Sequence, residues 1–201
     1  MLIENKYYFT HIPRTGGRYI ESLFLKNNYV CNFNNYDLFL RDFLKRKNIE
    51  VAHFEYPYYL TLTNKKNLEK FTVVRDPVDR FRSCLRVSLS RKQILLNEKN
   101  INFVMDNLDE FINNQINSEP NNWFLPQINF LSHDTKIWMY ENGLDKKFID
   151  WLHDNFGFKF NNFNLDYIKA DYEKTETIEF TPLQIKDIKN YYYKDYKIIY
   201  G

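Results

Sequence analysis

Residues 7 to 17 read Tyr-Tyr-Phe-Thr-His-Ile-Pro-Arg-Thr-Gly-Gly. Tyr7 to Ile12 is an aromatic and β-branched run ended by Pro13, the pattern of a buried strand. Arg14-Thr15-Gly16-Gly17 reads as a turn. From Arg18 to Lys26, Tyr19, Leu23 and Phe24 recur at helical spacing, so a helix starts directly after the glycines. The chain has only five glycines, and two of them stand side by side here. Such placement serves backbone geometry. Strand, tight turn and helix together aim backbone N–H groups and the positive end of a helix dipole at an anion. Arg14 and Arg18 add positive charge. On these residues alone the segment is an oxyanion loop or a plain glycine turn with two solvated arginines.

Downstream, the same alternation continues. Leu38, Phe39, Phe43 and Leu44 suggest a helix around Asp37 to Lys45, and Ile49 to His53 a short strand. Phe71 to Val74 is a stronger strand. Arg75-Asp76-Pro77 ends it and opens a helix with proline in its first turn. A polar, mostly helical stretch follows to about Asn117, with Leu108, Phe111 and Ile112 on one face. Lys136 to Tyr140 reads as a strand, Asp145 to Asn155 as a helix stopped near Gly157, and Thr181 to Tyr196 as a closing helix. Strands alternating with helices predict an α/β fold around a mainly parallel central sheet flanked by helices. No repeat and no Pro/Gly/Ser-rich linker interrupts the chain, which predicts one domain over residues 1–201.

Composition narrows the function. With 201 residues, 44% hydrophobic and 27% charged, the chain can bury a real core. The net charge of +2 gives no bulk attraction to nucleic acid, so any basic site is local. Two cysteines, Cys31 and Cys84, make neither a disulfide framework nor a four-thiolate zinc site. No run approaches the ~20 apolar residues of a membrane span. The start, Met-Leu-Ile-Glu-Asn-Lys, lacks the pattern of a signal peptide. A soluble, cytoplasmic protein is expected. The patterns GxxxxGK[ST] and GxGxxG are both absent, which argues against a nucleotide kinase-like phosphotransferase and a dinucleotide enzyme.

A second arginine stands at a telling place. Arg75 follows a central strand, and ligands of open α/β sheets bind at that edge. Ser83, about two helical turns onward, has a hydroxyl suited to sharing one phosphate with the Arg75 guanidinium. Arg75-Asp76 read alone is equally an ion pair at a helix start.

Together, His11-Ile12-Pro13-Arg14-Thr15-Gly16-Gly17 and Val74-Arg75-Asp76-Pro77-Val78-Asp79-Arg80-Phe81-Arg82-Ser83 resemble the two donor-binding motifs of sulfotransferases. The likeness is greatest to the carbohydrate group that includes heparan sulfate and uronyl 2-O-sulfotransferases. That family has a P-loop-like α/β fold. It moves a sulfuryl group from 3'-phosphoadenosine 5'-phosphosulfate (PAPS) to an acceptor hydroxyl, releasing 3'-phosphoadenosine 5'-phosphate (PAP), without a metal. The resemblance implies that Arg14 takes the place of the loop lysine at the 5'-phosphosulfate. Thr15, Gly16, Gly17, Arg18 and Tyr19 stand where the family wraps that group in backbone N–H. Arg75 and Ser83 stand where it grips the 3'-phosphate. Fainter likenesses are Asn122 to Gln127, an aromatic-x-x-Pro-Gln segment, then Tyr140-Glu141-Asn142, and the Asp195-Tyr196 end. Two departures are visible: arginine replaces lysine at 14, and Arg18-Tyr19 replaces a Thr-Ser pair.

Sulfuryl transfer needs a base for the acceptor proton, and histidine is poised for that near pH 7. His53 matches the family's catalytic histidine upstream of the Arg-Asp-Pro strand and is the expected base, with Glu55 as the alternative. His11 is expected to hold the turn, and His133 and His153 to lie at the surface. Arg80, Arg82 and Arg86 are either an anionic-acceptor groove or solvated helix charges. Trp123 and Gln127 either face a ligand or are buried. The resulting reading is a PAPS-dependent sulfotransferase acting on a hydroxyl-bearing acceptor, a carbohydrate by resemblance. Its alternative is a catalytically impaired PAPS/PAP-binding module.

Overall fold

The computed structural model describes residues 1–33, 67–118, 122–161 and 178–201. The expected helix over 37–45, the strand over 49–53, and the candidates His53 and Glu55 lie outside the described residues. Contacts gather the chain into two compact units, Met1–Arg75 with Asn129–Tyr167, and Asp76–Ile128 with Ile168–Gly201.

The first unit is built on one five-stranded sheet. Its strands are β1 (Leu2–Ile3), β2 (Tyr7–Thr10), β3 (Cys31–Asn32), β4 (Glu69–Val74) and β5 (Lys136–Met139), in the order β3-β1-β2-β4-β5. β2, β4 and β5 run parallel, with Phe9 opposite Phe71 and Val74 opposite Met139. β1 pairs antiparallel with both β2 and β3. The sheet is therefore mixed, where the sequence predicts a mainly parallel one. The two antiparallel additions are two-residue strands, too short to leave an alternation in the sequence. The α/β class itself is observed, with seven α-helices among the described residues.

Aromatic side chains fill this unit. Phe9, Phe24, Phe71, Phe148, Phe156 and Phe158 are buried in one cluster. Phe24 meets Phe158 edge-on at 4.7 Å, and Phe9 lies 5.2 Å from Phe71. Helix α1 (Gly17–Lys26) buries Ile20, Leu23 and Phe24. Helix α5 (Lys146–Phe156) is capped by Asp145, which accepts from the Lys147 N–H, and stops at Gly157 with φ 74°. The Thr72 hydroxyl donates to the Thr10 carbonyl at 2.7 Å, a further tie between β4 and β2.

The second unit is helical: α2 (Pro77–Arg91), α3 (Glu98–Asp106), α4 (Leu108–Ser118), α6 (Pro182–Tyr191) and α7 (Tyr193–Ile199). Asp76 caps α2 by accepting from the N–H groups of Val78 and Asp79, and Pro77 stands at the first helical position, where its missing N–H is harmless. Its core joins Phe81, Leu85, Ile112, Trp123, Phe124 and Ile188. The expected closing helix is two helices. They part at Tyr192, which is buried and donates its hydroxyl to the Phe124 carbonyl at 2.7 Å.

Candidate functional site

The glycine turn leaves β2 and enters α1 with two residues in the left-handed region, Arg14 at φ 68° and Gly16 at φ 86°. A side chain at Gly16 would also meet Leu144 Cδ1 at 2.5 Å and Tyr140 Cε2 at 3.3 Å, so space as well as backbone twist requires glycine there. Thr15 is fully buried, and its hydroxyl donates to the Ile12 carbonyl at 2.9 Å. That hydroxyl braces the turn. The carbonyl of Gly16 accepts the first helical bonds, from the N–H groups of Tyr19 at 3.0 Å and Ile20 at 3.3 Å. The first N–H groups of an α-helix have no carbonyl of a preceding turn to meet. No side chain caps α1, and its first turn holds no acidic residue. The positive end of the helix thus lacks a side-chain cap and lies next in sequence to Arg18, which is exposed, and close to Arg14, which is half-buried.

Arg75 comes to the same turn. Because β2, β4 and β5 are parallel, the residues that follow them lie along one sheet edge. From the end of β4, Arg75 Nη1 donates to the Arg14 carbonyl in a long hydrogen bond of 3.4 Å. Its guanidinium lies 4.7 Å from the centre of the Tyr140 ring, within cation–π range. Tyr140, just after β5, is the residue that also backs Gly16. Arg75 therefore adjoins the glycine turn within the first unit. Tyr140 was legible only as part of a strand-end likeness and Leu144 not at all; their packing on the glycine turn has no local signal.

The remaining expected residues fall into separate groups. Tyr19 is half-buried against the core of its unit, and burial, followed by the Asp145 charge, raises its hydroxyl pKa. Ser83 is buried on α2 of the second unit. His11 is buried beside Glu21, matching its expected role in the turn. His133 and His153 are exposed, as expected, and His153 Nδ1 lies 3.1 Å from the Phe158 carbonyl.

In the second unit, the arginines after the second motif serve the fold. Arg80 is fully buried and donates to the carbonyls of Trp123 at 2.8 Å and Leu125 at 2.6 Å. Arg82 bonds the Ile178 carbonyl and Asp79. Buried Arg80 fits neither expected reading, groove or solvated helix charge. Asp195, also buried, accepts from the N–H groups of Gln127 and Ile128. Burial raises its carboxyl pKa, against the pull of Arg80 and those amides. Trp123 and Gln127 are buried, the second of their two expected readings. Tyr196 donates to the capping residue Asp76 at 2.9 Å, so the Asp195-Tyr196 end holds both the aromatic-Pro-Gln segment and the start of α2.

At the opposite end of the parallel strands lies a recess of about 290 Å³ lined by Asn67, Leu68, Glu69, Lys70, Asp134, Lys136 and Phe156. The buried Lys70 ammonium donates to Asp134 at 2.5 Å. That bond, with one from Ser132, holds the Asp134 carboxyl down at about 2. Among the described residues, no group of three His, Cys, Asp or Glu side chains is placed to hold a metal ion, and no helix is long and apolar enough to cross a membrane. Comparison of the chain with protein-family models, curated proteins and solved structures finds no match.

Proposed function

We propose that this chain binds PAPS at the glycine turn and transfers its sulfuryl group to a hydroxyl of an acceptor, a carbohydrate by the likeness of its motifs. The observation that carries the reading is the convergence of Arg75 on the Arg14 carbonyl, beside the uncapped start of α1. A doubly anionic adenosine compound calls for such a donor set: backbone amides for one anionic end and a guanidinium for the other. In this reading the turn amides and Arg14 hold the 5'-phosphosulfate, and Arg75 the 3'-phosphate. The acceptor oxygen attacks sulfur in line while the bridging oxygen leaves with the 5'-phosphate. Arg14 neutralises the charge that grows on that leaving oxygen. His53 takes the acceptor proton, a contribution of about 10²–10⁴ in rate.

Arginine at 14 keeps the charge of the family's lysine but offers a planar fork in place of a compact ammonium. A second reading, a PAPS/PAP-binding module without turnover, is favoured by one observation. The Thr15 hydroxyl is engaged within the turn, and Tyr19 is packed on the core, so the turn offers amides and arginines but few hydroxyl donors. Calorimetry with PAP and with magnesium-ATP separates the nucleotide classes, and tighter binding of ATP would end the PAPS reading. A screen of hydroxyl acceptors with radiolabelled sulfate donor then separates enzyme from module. Transfer to a sugar supports the enzyme; tight PAP binding with no transfer to any acceptor supports the module.

A further inference from the structure

Beneath the glycine turn sits an ionisable pair that no step of the proposed reaction uses. His11, the first residue beyond β2, is 4% exposed, and Glu21, one turn into α1, is 0% exposed. His11 Nδ1 and Glu21 Oε1 are 2.9 Å apart. With Glu21 ionised, its carboxylate accepts and Nδ1 carries the hydrogen. The other edge of the ring, Cδ2 and Nε2, fills the space that a Cβ at Gly17 would need. Phe9 stacks on the imidazole at 5.8 Å and 26°. The ring is therefore wedged between the sheet and the first residue of α1, and its hydrogen bond to Glu21 ties it to the same helix.

Stability is a poor reason for this arrangement. Taking two ionisable groups out of water is costly, and apolar residues of similar volume replace such pairs with little or no loss of stability. What an apolar pair lacks is direction. A hydrogen bond from the end of β2 into α1 sets the distance and rotation of the helix start relative to the strand. The amides at that helix start are the ones the proposed reaction needs.

We propose that His11 and Glu21 are a positioning dyad that aims the Gly16 and Gly17 amides at a pyrophosphate-like oxyanion, so that anion affinity depends on the pair while stability does not. The inference rests on the reading of the glycine turn as the 5'-phosphosulfate site. Inorganic pyrophosphate is the probe, which keeps the test independent of the nucleotide. The chain's five glycines give five amide signals after selective ¹⁵N-glycine labelling.

In the wild type, pyrophosphate is expected to shift Gly16 and Gly17 and to spare Gly157 at the end of α5. The double variant His11→Phe/Glu21→Leu is expected to melt near the wild-type temperature with its Gly157 signal in place. Its pyrophosphate Kd should rise about tenfold or more. Glu21→Gln retains an acceptor for the Nδ1 hydrogen and should stay within about threefold of wild type. The inference is overturned if the double variant binds pyrophosphate as the wild type does, if it unfolds, or if pyrophosphate leaves Gly16 and Gly17 unmoved in the wild type. Pyrophosphate bound at the turn with PAP no tighter than ATP would sink the sulfotransferase reading alone and leave the dyad standing.

Discussion

Gly17 is held to glycine by contact and Gly16 by both twist and contact, so the two neighbours fail differently when changed. Gly17→Ala drives a methyl group into the buried His11 ring, which is itself pinned by Phe9 and Glu21. Overpacking of this kind costs about 1–3 kcal/mol. The expected result is a lower urea midpoint for Gly17→Ala, and an unchanged midpoint would mean the ring has room to retreat. At this scale the sequence was informative where chemistry and backbone coincide. Paired glycines in a glycine-poor chain marked the turn, and Arg75 was marked by its place after a strand. The His11–Glu21 pair was only half visible. His11 was expected to hold the turn, but its partner lies ten residues on, across the turn, with no spacing rule to link them. Arg80 shows the limit more plainly. Its neighbours Arg82 and Arg86 suggested a charged helix face, yet its burial is decided by carbonyls of Trp123 and Leu125, more than forty positions away.

Among the elements, those with caps and breakers were read well. Asp145 and Gly157 bracket α5, and Pro77 opens α2 behind its Asp76 cap. Thr181-Pro182 opens α6 with a full capping box, in which the Thr181 hydroxyl oxygen accepts from the Gln184 N–H and the Gln184 side chain accepts from the Thr181 N–H. Thr181→Ala is expected to destabilise the chain by about 1 kcal/mol, read as a lower midpoint of the helical circular dichroism signal on melting. A shift within error would mean that tertiary packing alone sets the start of α6. The break at Tyr192 was not legible, because Tyr191-Tyr192-Tyr193 contains no glycine or proline. It is imposed by the buried Tyr192 ring and its bond to Phe124. β1 and β3 were missed for the reason that makes them edge additions: two residues carry no period.

On the scale of the whole chain, the alternation of strands and helices was enough to give the α/β class. The border between the two compact units left no compositional trace, because β4 runs into α2 through Arg75-Asp76 with no linker between them. Among the described residues, ring-on-ring packing is densest in the core of the first unit. The Lys70–Asp134 pair gives that unit a defined acid sensitivity. Asp134 is held at about 2 in place of its ordinary 3.8, chiefly by the Lys70 hydrogen bond. A carboxyl depressed in the folded state stabilises fully above its unfolded pKa and loses that contribution as pH falls through its folded pKa. The urea midpoint should therefore drop between about pH 4 and pH 2, and drop less in Asp134→Asn. Because Asp134 is half-exposed, solvent screening limits the loss in that variant at neutral pH to roughly 1 kcal/mol. Identical acid profiles for the two proteins would show that other carboxyls govern the transition.

The central claim is that Arg75 grips the 3'-phosphate of a donor whose other anionic end rests on the glycine turn. Its most direct test is calorimetry of PAP against 5'-AMP, which lacks the 3'-phosphate, on the wild type and on Arg75→Ala. Hydrogen bonds to a charged group are worth about 1.5–3 kcal/mol, so the wild type should prefer PAP by roughly tenfold or more. Arg75→Ala should bind both nucleotides equally. A wild type that does not distinguish them, or an Arg75→Ala variant that keeps the full preference for PAP, would contradict the account.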